Sequence, residues 1–232
     1  MTDHPLSSAA LAQKIDHTLL KPTLTRSELE TLCKEAAEYR FKTVCIPPSW
    51  IQTAVALLKD SPVGTITVVG FPLGYSTTAS KAAEAREAIA QGACEIDMVL
   101  NISYLKSGLL AEAEADVAEV TRACGSVPVK VIIETAYLTE AEKKIAAILS
   151  ERAGAAFVKT STGFATGAPV TGATLEDIRL LRSVLKPSTR IKASGGIRDL
   201  EGAKALLGAG ADRLGTSSGV ALLRGLTSGG GY

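Results

Sequence analysis

Eight short apolar runs, separated almost throughout by stretches of helical periodicity, restrict this chain more than any other feature. The runs are KIDHT (14–18), FKTVCI (41–46), TITVVGF (65–71), EIDMVL (95–100), VKVIIE (129–134), AAFVK (155–159), RIKA (190–193) and DRLGT (212–216). Short runs bounded by turn residues read as strands, and strict strand–helix alternation means a parallel sheet with helical crossovers. Two architectures satisfy that pattern, an open doubly wound sheet and a closed (β/α)8 barrel. The open sheet usually announces itself with GxGxxG after its first strand, and nothing like it follows KIDHT. Eight units in 232 residues favour a compact barrel. The expectation is an α/β chain: a single (β/α)8 TIM barrel domain over residues 1–232, with a short N-terminal helix and a flexible C-terminal tail over 226–232.

Helix signals fill the gaps. Thr25-x-x-Glu28 and Thr139-x-x-Glu142 are capping boxes, in which a hydroxyl and a carboxylate satisfy backbone donors reciprocally. Leu29, Leu32, Cys33 and Ala36 follow the first at helical spacing, and Ile145, Ile148 and Leu149 follow the second. Thr174 is predicted to cap a helix containing Ile178, Leu181 and Leu185, which Pro187 stops. Asp199 is predicted to cap one containing Ala203, Leu206 and Leu207. The tail Ser228–Tyr232 is glycine-rich and flexible by composition.

Charge and composition exclude several function classes. Lys plus Arg total 25 and Asp plus Glu 24, so no net field points to nucleic acid or an anionic membrane. No apolar run is long enough to span a bilayer, and the N-terminus lacks a signal-peptide core. Cys33, Cys45, Cys94 and Cys124 show neither CxxC nor a disulfide framework, which suits a reduced, cytoplasmic setting. With only His4 and His17, no metal site is expected. Hard chemistry must then fall to carboxylates, lysines and backbone.

Three helix-to-strand joints look alike: QGACEIDM (91–98), RAGAAFVKT (152–160) and GAGADRLGT (208–216). Each has Gly then Ala, the Gly suiting a left-handed helix end and the Ala a tight entry into the strand. Five residues after each Gly come Asp97, Lys159 and Gly215, on strands four, six and eight. Alternate strands of a barrel share an interior layer. Equivalent joints would therefore point Asp97 and Lys159 inward at one height and leave a gap at Gly215. Lys192 lies on strand seven between Ile191 and Ala193.

A lysine ending an apolar strand, as in FVKTSTG (157–163), has two readings. It reaches solvent at the strand end, or it is held in a pocket as a nucleophile. Desolvation and a second cation both lower a lysine's pKa toward neutrality. The Lys159/Lys192 pair supplies that cation, and Asp97 supplies a carboxylate for moving protons. This set fits Schiff-base chemistry on a carbonyl. Loops after strands seven and eight, ASGGI (193–197) and GTSSG (215–219), resemble barrel phosphate sites, where glycines let backbone N–H groups approach an anion. Thr160, Ser161, Thr162 and Gly163 add candidate donors. An isomerase or epimerase with Asp97 as base, or a non-catalytic phosphate sensor, would keep these loops but leave the lysine pair without a use.

EIDMVLN, VKVIIET, FVKTSTGF, IKASGGIR and RLGTSSG, in this order, together with IDHTLLKP, VCIPPSW and VVGFPLG, resemble the deoxyribose-phosphate aldolase family, class I aldolases with a (β/α)8 barrel. The match runs from about Ile15 to Gly219, and Ser194 stands where an alanine is more familiar. The resemblance implies reversible cleavage of 2-deoxy-D-ribose 5-phosphate to D-glyceraldehyde 3-phosphate and acetaldehyde, with no cofactor. It implies that Lys159 forms the imine, Lys192 holds Lys159 reactive, and Asp97 donates and accepts protons. It places the phosphate at Gly163, Gly195, Gly196, Gly215, Ser217 and Ser218, with Thr162 beside them. Asp16, Thr18 and Leu20 would line the acetaldehyde end. The partners expected are a sugar phosphate, aldehydes and a second copy of the chain as a homodimer. Tyr232 is either a proton relay folded over the site or part of a disordered terminus. Glu134 is expected in a structural ion pair, His17 in a structural hydrogen bond, and Cys45 as a buried thiol or one facing the barrel mouth.

Overall fold

The computed structural model describes residues 7–226. Helix α1 (Ser8–Ala12) leads into β1 (Ile15–Thr18), and α2 (Arg26–Tyr39) crosses to β2 (Thr43–Ile46). Then follow α3 (Ile51–Leu57), β3 (Gly64–Val69), α4 (Thr78–Ala90), β4 (Glu95–Val99), α5 (Ile102–Lys106), α6 (Leu110–Cys124) and β5 (Val129–Ile132). The last units are α7 (Glu140–Arg152), β6 (Phe157–Lys159), α8 (Leu175–Val184), β7 (Arg190–Ser194), α9 (Leu200–Gly208), β8 (Arg213–Thr216) and α10 (Gly219–Leu223). The strands close in sequence order into one parallel barrel, β8 pairing with β1 through Asp16 opposite Gly215. The expected architecture, including the short N-terminal helix, is the one observed. Most of the predicted tail, residues 227–232, lies outside the described residues, and so does Tyr232. No helix among the described residues is long and apolar enough to cross a membrane.

The local signals act as their chemistry requires. Both capping boxes form, and the hydroxyl of Thr174 and the carboxylate of Asp199 cap α8 and α9. The three glycines of the repeated joint, Gly92, Gly154 and Gly210, have φ of 107°, 90° and 116°. Each following alanine donates its N–H to a carbonyl five residues back, which ends the helix and turns the chain into the strand.

Three expectations need correction. Leu185 is not in α8: its backbone is extended (ψ 148°), because the chain is leaving the helix ahead of Pro187. Ile145 and Ile148 do not face the core, being 38% and 40% exposed. The buried face of α7 is Ala146, Ala147, Leu149 and Ser150, small enough for the helix to lie close to the sheet. Strands three and five also stop short of the apolar runs that suggested them. Gly70 turns left-handed (φ 61°) and gives its N–H to Glu84, and Glu134 takes a left-handed conformation (φ 51°) despite its side chain.

Side-chain alternation sorts the strands into two environments. Outward positions such as Val44, Ile46, Ile96, Met98, Val131, Val158, Ile191 and Leu214 are buried against the helices. Each such side chain contributes roughly 1.5–3 kcal/mol on burial. Inward positions are mostly charged or polar, and Asp16, Asp97, Lys130 and Lys192 are fully buried. The apolar annulus therefore offsets the desolvation of a charged interior. Outside the barrel, Lys81 of α4 is buried too, donating to Asp116 of α6 at 2.7 Å and to the Val99 carbonyl at 3.0 Å. That bridge ties two helices to the end of the strand that carries Asp97.

Candidate active site

Asp97, Lys159 and Lys192 meet inside the barrel. The Lys159 ammonium donates to Asp97 Oδ2 at 2.9 Å, and the Lys192 ammonium donates to the same oxygen at 2.8 Å. Lys159 is only 2% exposed, so the strand-end lysine does not escape to solvent. Gly215 is the gap the repeated joint suggested: a Cβ there would lie 3.0 Å from Lys192 Cε.

The two lysines titrate in opposite directions. Burial lowers the Lys159 pKa, Asp97 opposes the shift and Lys192 adds to it, leaving the amine below an ordinary lysine. Burial would lower Lys192 as well, but Asp16 and Asp97 outweigh it and raise its pKa. Burial likewise pushes Asp97 up, and Lys130, Lys159 and Lys192 together drive it well below the usual carboxylate range. The site therefore pairs a cation that keeps its proton with an amine that gives its proton up easily.

Asp16, expected to line an aldehyde-binding end, is fully buried. Its carboxylate accepts from Arg213 at 2.6 Å and from the Thr43 hydroxyl at 2.7 Å, and Lys192 approaches its other oxygen at 2.5 Å. Thr18 turns its hydroxyl back to the Asp16 carbonyl at 2.8 Å. Leu20 joins Cys45, Ile66 and Val68 in an apolar wall, against which Phe71 and Phe164 pack. The two phenylalanine rings meet edge to face with centroids 5.3 Å apart. Burial pushes the Cys45 thiol up to about 11, so it is neutral at pH 7.

The hydroxyl groups after β6 are largely committed to the protein. Thr160 donates to the Ser194 carbonyl, Ser161 to Thr160, and Thr162 to Glu134. Ser194 donates to the Ser161 carbonyl at 2.5 Å, stitching the loop after β6 to β7. Glu134 makes no ion pair with a site lysine, contrary to expectation. It accepts from the Thr162 N–H and hydroxyl, and burial raises its pKa. His17 does make its hydrogen bond, to Glu35 at 2.8 Å.

Among the loop glycines, Gly163, Gly195 and Gly196 have φ of 88°, 83° and 74°. A Cβ on Gly196 would meet nothing within 4 Å, so its backbone borders open space. Gly172 packs so closely that a Cβ there would lie 2.4 Å from the Gly195 carbonyl oxygen. The Ser218 N–H donates to the Thr216 hydroxyl at 2.9 Å, while Ser217 lies one residue earlier in the same turn.

Sequence reasoning missed Glu95, Lys130 and Arg213, which complete the interior charge cluster. The signal was available in part, because Glu95 and Arg213 stand two residues before Asp97 and Gly215 and share their inward parity. Lys130 pairs directly with Asp97 across the β4–β5 ladder.

The chain matches, over residues 10–228, the family model described as DeoC/LacD family aldolase. It is 54% identical over 219 residues to a deoxyribose-phosphate aldolase of Brevibacillus brevis, covering 94% of this chain and 97% of that protein. It is 52% identical over 231 residues to a deoxyribose-phosphate aldolase of Carboxydothermus hydrogenoformans, covering 98% and 100%. The tetrameric deoxyribose phosphate aldolase of Aeropyrum pernix superposes with a TM-score of 0.86 at 35% identity, covering 94% of this chain and 91% of that one.

Proposed function

The chain belongs to the DeoC/LacD family of aldolases, and on that premise we propose how its barrel performs the reaction of a class I deoxyribose-phosphate aldolase. The reaction is the reversible cleavage of 2-deoxy-D-ribose 5-phosphate to D-glyceraldehyde 3-phosphate and acetaldehyde. The observation that carries the assignment of roles is the shared oxygen, Asp97 Oδ2, between a lowered-pKa Lys159 and a raised-pKa Lys192.

The neutral Lys159 amine attacks C1 of the open-chain sugar, and loss of water gives the iminium. A base removes the C3 hydroxyl proton, the C2–C3 bond breaks, and its electron pair moves into the iminium. Glyceraldehyde 3-phosphate leaves and an enamine remains on Lys159. Protonation of the enamine carbon and hydrolysis release acetaldehyde and restore the amine. Asp97 accepts and returns protons at Oδ2, with Lys192 as the fixed cation beside it. The apolar wall of Leu20, Cys45, Ile66 and Val68 suits a two-carbon fragment and keeps water from the enamine. The left-handed turns at Gly163, Gly195 and Gly196, with Ser217 and Ser218 across the mouth, are the proposed phosphate cradle. Gly215 contributes space for Lys192 within β8.

The four free cysteines support a reducing, cytoplasmic location. The apolar, exposed Ile145 and Ile148 of α7 support self-association as a homodimer. Borohydride reduction in the presence of acetaldehyde, followed by peptide mass mapping, tests the central claim. A two-carbon adduct on Lys159 is the expected result. Adducts only on scattered surface lysines would overturn it.

A further inference from the structure

The charged side chains of the barrel interior form a closed ring. Asp16 Oδ1 meets Arg213 at 2.6 Å, and Arg213 meets Glu95 at 3.3 Å. Glu95 meets Lys130 at 2.6 Å, and Lys130 meets Asp97 Oδ1 at 2.7 Å. Asp97 Oδ2 meets Lys192 at 2.8 Å, and Lys192 returns to Asp16 Oδ2 at 2.5 Å. Carboxylates and cations alternate, three of each, and the ring is neutral. Among the described residues, the one ion pair Lys159 makes is with Asp97, from outside the ring.

We infer that Glu95, Lys130 and Arg213 are positioning residues: they close Asp16, Asp97 and Lys192 into a neutral ring and so leave Lys159 as the one ammonium the ring does not need. A net charge in a low-dielectric interior is expensive. Three carboxylates with four cations carry such a charge, and losing the Lys159 proton removes it. Any other proton loss from a lysine or arginine of the ring would break two ion contacts, whereas Lys159 gives up one.

The remaining interior groups lie outside the ring of ion pairs. Cys45 on β2 is a neutral thiol, and β3 contributes only the apolar Ile66 and Val68. Glu134, just beyond β5, hydrogen-bonds the Thr162 N–H and hydroxyl and makes no ion pair with the ring; burial raises its pKa, and the nearby Lys159 charge opposes that shift. Arg190 on β7 is exposed at the opposite end of the barrel, where water screens it. Between Arg190 and the ring lies the buried Phe157 of β6, with the Arg190 guanidinium 3.9 Å and the Arg213 guanidinium 5.4 Å from its ring centroid. Phe157 thus covers part of the floor under the ring while the Glu95 side chain stays 11% exposed, so a change of charge at Glu95 or Arg213 is only partly screened before it reaches Lys159.

This inference rests on Lys159 being the imine-forming amine, and one experiment separates the two claims. The initial rate of Lys159 labelling by acetaldehyde and cyanoborohydride is measured against pH for the wild type, Glu95→Gln, Arg213→Met and the double variant. Glu95→Gln leaves the cluster one charge more positive, so its labelling midpoint should fall by about one pH unit. Arg213→Met leaves it one charge more negative, so its midpoint should rise by about as much. The double variant should return to the wild-type midpoint, which loss of packing alone would not produce. It also removes both members of a pair rather than orphaning one, so Glu95→Gln against the double variant still decides the matter if Arg213→Met does not fold. Midpoints that stay put, or that move in the same direction for both single variants, overturn the ring. A wild type that is not labelled at Lys159 overturns the imine assignment instead.

Discussion

Lys159 and Lys192 bring their ammonium nitrogens to one oxygen, Asp97 Oδ2, at 2.9 and 2.8 Å. They share burial and this partner but differ in one respect: Lys192 has a second carboxylate, Asp16, at 2.5 Å. In the proposed mechanism, that difference is what makes Lys159 rather than Lys192 the nucleophile. Lys159→Ala should abolish turnover. Asp97→Asn should cripple proton transfer while an imine on Lys159 stays detectable by reductive trapping. Lys192→Arg keeps the charge but changes geometry and proton exchange, and turnover should fall sharply. Wild-type turnover in Lys159→Ala would end the assignment.

Gly215 tests how finely Lys192 is held. An alanine Cβ would press on Lys192 Cε and on Ser194 Cβ, both at 3.0 Å. Lys192 is pinned by two carboxylates and cannot yield without lengthening one contact. Relief of these contacts needs a shift of only a few tenths of an ångström, so Gly215→Ala should lower kcat by up to about tenfold, less than the roughly hundredfold that a misplacement of about 1 Å costs. Its urea midpoint should stay close to wild type. A kcat equal to wild type would show that Lys192 tolerates displacement.

Glu134 combines two opposing contributions. Its carboxyl holds the Thr162 N–H and hydroxyl, yet its backbone sits at φ 51°. Glu134→Ala loses the hydrogen bonds and keeps the strained backbone, and should destabilise by about 1–3 kcal/mol. Glu134→Gly loses the same bonds but is at ease in the left-handed region, so it should be the more stable of the two by roughly 0.5–1 kcal/mol. Urea unfolding of both variants gives the order, and the reverse order would contradict the strain argument.

The interior carboxylates predict acid sensitivity of a definite sign. Asp16 and Asp97 both have folded pKa values below their ordinary ones, driven down by the surrounding cations against the cost of burial. A depressed carboxylate contributes stability that is complete above its unfolded pKa, near about 4, and is lost as pH falls through the folded value. Their contribution should be flat from neutrality down to about pH 5 and fall away below about pH 4. The Asp97→Asn variant should lose less stability than wild type over that acid range. Equal slopes for the two proteins would place the acid-labile groups elsewhere.

Much of the fold was legible because its determinants are local. Alternating periods of two and 3.6 residues marked strands and helices, the capping residues marked helix starts, and the Gly–Ala joints marked where strands begin. Equal spacing from the Gly–Ala joints on alternate strands was enough to turn Asp97 and Lys159 inward. Where a local rule met a tertiary demand, it failed. Glu134 is left-handed to reach Thr162, and Ile145 and Ile148 follow the helical period on the face that α7 turns away from the core.

Amino-acid order by itself determined which side chains enter the barrel and at which register. Only closure of β8 onto β1 decided that Asp16 and Arg213 stand beside each other, 197 residues apart in the chain. Charge balance is a sum over every group in a shared low-dielectric space. No single strand carries it, and it exists only once eight strands enclose that space.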